Sequence, residues 1–138
     1  LSTLHLVRTK ISDLSPIAKL KGIKRLTLDG CPIEDISMLE NSNLNTLTLS
    51  NTNVNDISVL KNMNRLRNLV LAGTLVEDIS PLMEKSFTSL DLRGTKIKDF
   101  SILKTMNYIG TLTLNPNQIT PEVDAITKLS HIKKVKIH

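Results

Sequence analysis

The stretch LVLAGTLVEDISPL, residues 69–82, decides the fold because its pattern returns along the whole chain. It opens with Leu69-x-Leu71, an alternation of period two that places both leucines on one side of a strand. Asp78-Ile79-Ser80 follows, and from Ile79 onward the apolar spacing lengthens to three, which suits a 3₁₀ or short α turn. The stretch therefore predicts a short strand, a turn and a one-turn helical segment that returns the chain.

The same pattern occurs six times, with part of a seventh copy, at intervals of 21 to 23 residues. The first leucine of the pair recurs at Leu4, Leu26, Leu47, Leu69, Leu90 and Leu112, and Val135 takes its place in the last copy. One copy cannot bury its leucines alone, so each needs a neighbour on either side. The sequence predicts a solenoid, in which the stack is the cooperative unit.

The Asp-apolar-Ser triplet marks where each return segment begins. We expect its Ser to be the N-cap and its Asp to bind turn amides, with Pro16 and Pro81 in the first helical turn. The sixth copy has Pro121-Glu122-Val123 instead of the triplet and is followed by the longest interval. This difference predicts a longer return helix near residues 121–129.

These residues resemble the leucine-rich repeat superfamily, within it the short-repeat type of internalins and the similar repeats of leucine-rich protein phosphatase regulators. The resemblance implies an α/β solenoid, a right-handed arc with a parallel concave sheet and short 3₁₀ or α turns on the convex side, used mainly to bind proteins. One column departs from the family's usual Asn: Thr9, Cys31, Thr52, Thr74, Thr95 and Asn117. We expect one monomeric domain over residues 1–138, cut from a longer protein.

Composition sets limits on the kind of protein. With 40% hydrophobic and 22% charged residues, the chain is typical of folded, soluble proteins. Aromatic residues make up 2%, so Leu, Ile, Val and Met must build the interior. No apolar run is long enough to span a membrane, and a single cysteine excludes an internal disulfide.

Few residues could carry chemistry. Cys31 lies in the turn column, where a buried structural thiol is the simpler interpretation, and the three histidines do not form a site with it. The aspartates of the triplets could in principle stack to hold Ca²⁺, but their role in the turn explains them without a metal. We therefore predict no catalytic residues, no metal and no cofactor.

The outward face of the strands is the candidate interface. Arginine is the side chain there that is best suited to anchor a partner, because Trp and Tyr are missing from this face. Our candidates are three arginines, two aspartates beside them, and a lysine of the basic C-terminal group: Arg25, Arg67, Arg93, Asp29, Asp91 and Lys134. We expect a protein partner.

Two other functions stay open. The net charge of +5 and the basic groups Lys24-Arg25 and Lys133-Lys134-Lys136 would suit an anionic polymer, although specific nucleic-acid recognition is not expected without aromatic platforms. Alternatively, the array is the targeting part of an enzyme whose catalytic domain lies outside these residues. The resemblance favours a bacterial surface or secreted protein over one inside the cell.

Overall fold

The computed structural model describes all 138 residues, and seven parallel strands form one sheet in which each strand pairs with the next in the sequence. The strands are β1 Thr3–His5, β2 Arg25–Thr27, β3 Thr46–Thr48, β4 Asn68–Val70, β5 Ser86–Asp91, β6 Tyr108–Leu114 and β7 Ile132–Ile137. The register sets Leu4 beside Leu26, Leu47, Leu69, Leu90, Leu112 and Val135. The predicted column of first leucines and the right-handed solenoid arc are confirmed.

Short helical segments return the chain between strands on the other side of the sheet. Two are α-helices, α1 Ser15–Ala18 and α2 Pro121–Thr127, and four are 3₁₀ turns, namely Ser37–Leu39, Ser58–Asn62, Ser80–Leu82 and Ser101–Lys104. A further 3₁₀ turn, Pro116–Gln118, directly follows β6. The longer return helix expected in the sixth copy is α2. Its N-cap is Thr120, whose hydroxyl accepts a hydrogen bond from the Val123 amide at 3.2 Å.

The Ser of each triplet is not an N-cap, contrary to our expectation. Each helical turn begins at the Ser itself, and the apolar residue before it holds the cap position without a side-chain bond. The carboxylate of the preceding Asp accepts the Ser amide at 2.8–2.9 Å in all five copies. The aspartate two residues earlier thus binds the first amide of each helical turn.

The core is a single cluster of 35 buried apolar residues between the sheet and the return segments. Leucine and isoleucine dominate it, as the composition required, and Phe87 and Phe100 are its two aromatic members. Thr52 and Thr74 are buried as well, and their hydroxyls donate to the carbonyls of Leu49 and Leu71 at 2.8 and 2.7 Å. Each hydroxyl thus binds the residue that follows the strand of its own repeat.

The turn after each strand needs a residue in the left-handed region. Successive repeats place Arg8, Gly30, Asn51, Gly73 and Gly94 there, with φ between +54° and +72°. The sixth repeat has Pro116 at this position, and proline is fixed near φ −65°. The chain therefore turns through the 3₁₀ segment Pro116–Gln118 instead.

This change shifts the turn column by one residue in the sixth repeat. Asn117, which the alignment placed in the column, is exposed. Gln118 takes over, and its Nε2 donates to the Leu92 carbonyl of the preceding repeat at 2.8 Å. The assignment of Asn117 was wrong because the sequence does not show that a 3₁₀ turn replaces the left-handed one.

Candidate functional site

The concave face of the sheet is defined by three rows of outward side chains, one from each repeat. The first row is Thr3, Arg25, Thr46, Asn68, Ser89, Thr111 and Lys134; the second is His5, Thr27, Thr48, Val70, Asp91, Thr113 and Lys136. The third lies just after the strands: Val7, Asp29, Ser50, Ala72, Arg93, Asn115 and His138. No other element of the chain covers these rows.

Polar side chains at the centre of this face hold one another in place. Asn68 donates from Nδ2 to the Thr46 hydroxyl at 3.4 Å and accepts from the Ser89 hydroxyl at 3.1 Å. The hydroxyl oxygen of Thr48 is buried and has no partner. The centre is therefore a preformed, uncharged surface.

Arg25 and Lys134 are the free charges of the first row. Both are exposed, and neither forms an ion pair. They lie five strands apart, which corresponds to about 24 Å at the usual spacing of about 4.8 Å between strands. The two residues can contact one partner together only if that partner spans most of the sheet.

Asp91 and Arg93 are the two predicted residues that the structure brings together. Nε and Nη2 of Arg93 donate to both carboxylate oxygens of Asp91, and the Nη2–Oδ2 distance is 2.7 Å. The hydrogen bond with Asp91 raises the pKa of Arg93 above its ordinary value. This bidentate pair neutralises itself, so it presents a fixed polar shape rather than a net charge.

The other two predicted residues also have partners within the molecule. Asp29 Oδ1 accepts the amide of Ser50 at 2.9 Å and so helps to join two repeats. Arg67 lies one residue before β4, at the border of the face, and its Nη1 donates to the carbonyls of Asn64 and Leu66 at 3.0 and 2.9 Å. Whether these residues bind a partner stays a prediction.

Tyr108 is an exposed aromatic residue near this face that sequence reasoning did not select. It opens β6, pairs with Ser86 of β5 and keeps 42% of its surface exposed. The extra strand residues of β5 and β6 lie before the Leu-x-Leu pair, where the repeat pattern carries no alternation. In the sequence, Tyr108 stood out only as the single tyrosine of the chain.

The aspartates of the triplets bind backbone and hydroxyl groups. The serine hydroxyl, and then the amide, lowers the pKa of Asp13, Asp35 and Asp99, whereas at Asp56 the amide of Ser58 contributes most. No group of three or more His, Cys, Asp or Glu side chains is placed to hold a metal ion. Their turn role, predicted from the sequence, is confirmed by these hydrogen bonds.

Cys31 is an interior turn residue, as predicted. It is 2% exposed, and its thiol donates to the Leu6 carbonyl of the preceding repeat. Burial keeps it out of reach of a substrate. No helix in the molecule has both the length and the apolar character needed to cross a bilayer.

Solved structures of two bacterial proteins share this architecture. Internalin C2 from Listeria monocytogenes strain 4b F2365 matches with a TM-score of 0.78 and 33% identity, over 83% of this chain and 51% of that chain. Internalin F from the same strain matches with a TM-score of 0.63 and 22% identity, over 96% of this chain and 48% of that chain, and supports the fold alone. The chain thus spans about half the length of either structure.

Comparison of sequences alone adds no relative. No protein-family model matches the chain, and no curated protein matches it significantly.

Proposed function

Because the chain is a leucine-rich repeat protein with internalin-like repeats, we propose that it is a protein-protein interaction module whose concave face binds a macromolecular partner. The uncovered concave face carries this proposal. A parallel sheet is normally covered on both sides, and here the core covers only the convex side. A partner protein bound to the concave side would cover the second face of the sheet.

The character of the face indicates the chemistry of that partner. Its unpaired cations lie towards the two ends, at Arg25, Lys134 and Lys136, while the middle is uncharged or self-neutralised. Asp29, which accepts the Ser50 amide, is the one acidic group of the face without an ion pair. A partner that places acidic groups near both ends and hydrogen-bonding groups over the Thr46–Asn68–Ser89 centre would be complementary. Asp91 and Arg93 would contribute a rigid polar feature, and Asp29 and Arg67 would lie at the margin.

Charge reversal at the two ends tests the proposal. The variant Arg25→Glu/Lys134→Glu should lose the proteins that the wild-type chain retains from lysates and cultured host cells, because both exposed cations contact the partner. Lys61→Glu/Lys104→Glu is the matched control, since these exposed lysines lie in the convex turns and give the same change in net charge. The concave-face proposal would be contradicted if Arg25→Glu/Lys134→Glu retained the partner proteins as well as the wild-type chain does. It would also be contradicted if both variants lost those proteins equally.

We also propose that the protein is bacterial and acts at the cell surface or after secretion. The likeness to two listerial internalins supports this location. Protease added to intact source cells should degrade the protein if it is at the cell surface. If it is secreted, it should already be present in the medium. Full protection until the cells are lysed would overturn this part of the proposal.

A further inference from the structure

The solenoid is electrically polarised across its width. We define the leading edge as the loops that connect each helical turn to the next strand, residues 19–24, 40–45, 63–67, 83–85, 105–107 and 128–131. The trailing edge consists of the loops that follow the strands, residues 6–14, 28–36, 49–57, 71–79, 92–100 and 115–120. The leading edge holds seven basic and two acidic residues, the trailing edge five basic and eight acidic, so their net charges are +5 and −3.

Almost none of the leading-edge cations is neutralised within the molecule. The structure has two ion pairs, Arg93–Asp91 and Lys128–Asp124, and only Lys128 belongs to the leading edge. Lys19, Lys21, Lys24, Arg65, Arg67 and Lys85 form none. On the trailing edge, by contrast, five aspartate carboxylates accept hydrogen bonds from serine amides.

The backbone sets these cations in a line. The Asn45 amide bonds the Lys24 carbonyl at 2.7 Å, and the Arg67 amide bonds the Asn45 carbonyl at 2.8 Å, so the three residues occupy one row. Lys24 and Arg67 are therefore two strands apart, about 10 Å. Lys21 and Arg65 flank them in the same loops.

Arg67 and Lys85 are two of these cations that lie near enough to repel each other. The pKa of Lys85 lies below its ordinary value, first because burial desolvates its ammonium and second because Arg67 repels the charge. Lys85 and Arg67 come from neighbouring repeats, and the Thr88 amide bonds the Arg67 carbonyl at 2.7 Å beside them. Bound anionic groups would relieve this repulsion.

From the row of unpaired cations and its spacing, we propose that the leading edge binds a linear anionic polysaccharide carrying sulfate or carboxylate groups. This edge adjoins the concave face at Arg67, but Lys21, Lys24 and Arg65 lie outside the three rows that define that face. A chain laid along the loops would meet cations at repeats two and four and Lys85 at repeat five. Its affinity would come from charge and would fall as salt is added.

The form of the edge favours a polysaccharide over other polyanions. Single-stranded nucleic acid is held mainly by stacking on aromatic rings, and Tyr108 is the chain's only tyrosine, with no Trp. Duplex DNA is read by a helix or ribbon that enters a groove, whereas this edge is a series of short loops. A narrow row of charges also suits a linear polymer better than a flat membrane.

Binding of heparin, used as the sulfated polysaccharide probe, tests the proposal by titration at about 50 mM salt. The variant Lys21→Gln/Lys24→Gln/Arg65→Gln should weaken binding at least about tenfold, since three of the seven leading-edge cations are lost. The matched control is Lys10→Gln/Lys96→Gln/Lys98→Gln, which removes three exposed cations from the trailing edge and leaves the same net charge. It should change the affinity less than about threefold. Thermal melting of both variants verifies that they are folded.

Three results would overturn the proposal. The first is no heparin binding by the wild-type chain. The second is an equal loss of affinity in the two folded variants, which would mean that net charge alone acts. The third is equally tight binding of poly-glutamate or duplex DNA with the same dependence on Lys21, Lys24 and Arg65, which would show that the edge does not select polysaccharides.

Discussion

Gly73 shows how tightly the repeats constrain single residues. It lies in the left-handed region at φ +71°, and a Cβ there would fall inside van der Waals contact with Oδ1 of Asn51 in the preceding repeat. Gly94 has a similar φ of +63°, but its Cβ would meet the Gly73 backbone nitrogen at an ordinary 3.4 Å. We predict that Gly73→Ala destabilises the protein more than Gly94→Ala in urea unfolding, because the Asn51 amide has to rotate away, in addition to the about 1 kcal/mol or more that each substitution loses to the backbone conformation.

A double substitution separates the two causes. Asn51→Gly removes the side chain that a Cβ at residue 73 would strike, and glycine also accepts the left-handed φ of +58° found at Asn51. In that background, Gly73→Ala should cost no more than Gly94→Ala. An unchanged cost would mean that the contact with Asn51 does not determine the effect.

At the residue scale, the sequence predicted which positions are buried but not which groups the polar side chains form hydrogen bonds with. The Leu and Ile columns follow from period and repeat length alone, because stacking must bury whatever recurs on one side. By contrast, Arg67 bends back onto the carbonyls of Asn64 and Leu66, and Asp29 binds the Ser50 amide. These contacts depend on local loop geometry, so the candidate interface is less regular than the repeat suggested.

The 3₁₀ turn of the sixth repeat depends on Gln118. Its Oε1 accepts the Asn115 amide at 2.7 Å, and its Nε2 donates to the Leu92 carbonyl. Gln118→Glu keeps the size and the acceptor but replaces the donor with a negative oxygen. We predict a loss of stability of about 1 kcal/mol or more at pH 7 in urea unfolding, since the Leu92 carbonyl loses this partner.

Asn117→Asp is the control for that prediction because it makes the same amide-to-carboxylate change one residue earlier. Asn117 is exposed and its side chain makes no hydrogen bond, so its replacement should cost at most a few tenths of a kcal/mol. If both substitutions cost the same, the added charge matters and the Gln118 bond does not.

The order of the elements was predictable, whereas the lengths of some of them were not. Each strand contains the first residue of its predicted pair, because alternation is a property of the residues themselves, but only β6 and β7 contain both residues. Strands β5, β6 and β7 extend to six or seven residues, whereas β1 to β4 have three. These extensions depend on pairing with neighbouring repeats, for example Tyr108 with Ser86, which the repeat pattern does not specify.

Across the whole molecule, the repeated Asp–Ser turns predict how stability depends on pH. Hydrogen bonds from serine lower the pKa of Asp13, Asp35, Asp56 and Asp99 in the folded chain, and unfolding breaks those bonds and returns the pKa to about 3.9. The stabilisation is therefore present above about pH 4 and is lost as the pH falls through the lower pKa of the folded state. The urea midpoint should stay level from pH 7 to 5 and fall between pH 5 and 3.

Asp35→Asn/Asp56→Asn should lower the midpoint at pH 7 and make the fall towards pH 3 shallower, since two of the four titrating turns are gone. Glu34→Gln/Glu77→Gln removes two exposed trailing-edge carboxylates that accept no hydrogen bond and should leave the fall unchanged. Acid also raises the net charge above +5, and this general repulsion is screened by salt, whereas short hydrogen bonds are screened much less. If the urea midpoint no longer falls between pH 5 and 3 at about 0.5 M salt, the acid sensitivity comes from whole-molecule charge repulsion. That result would contradict the role given to the Asp–Ser turns.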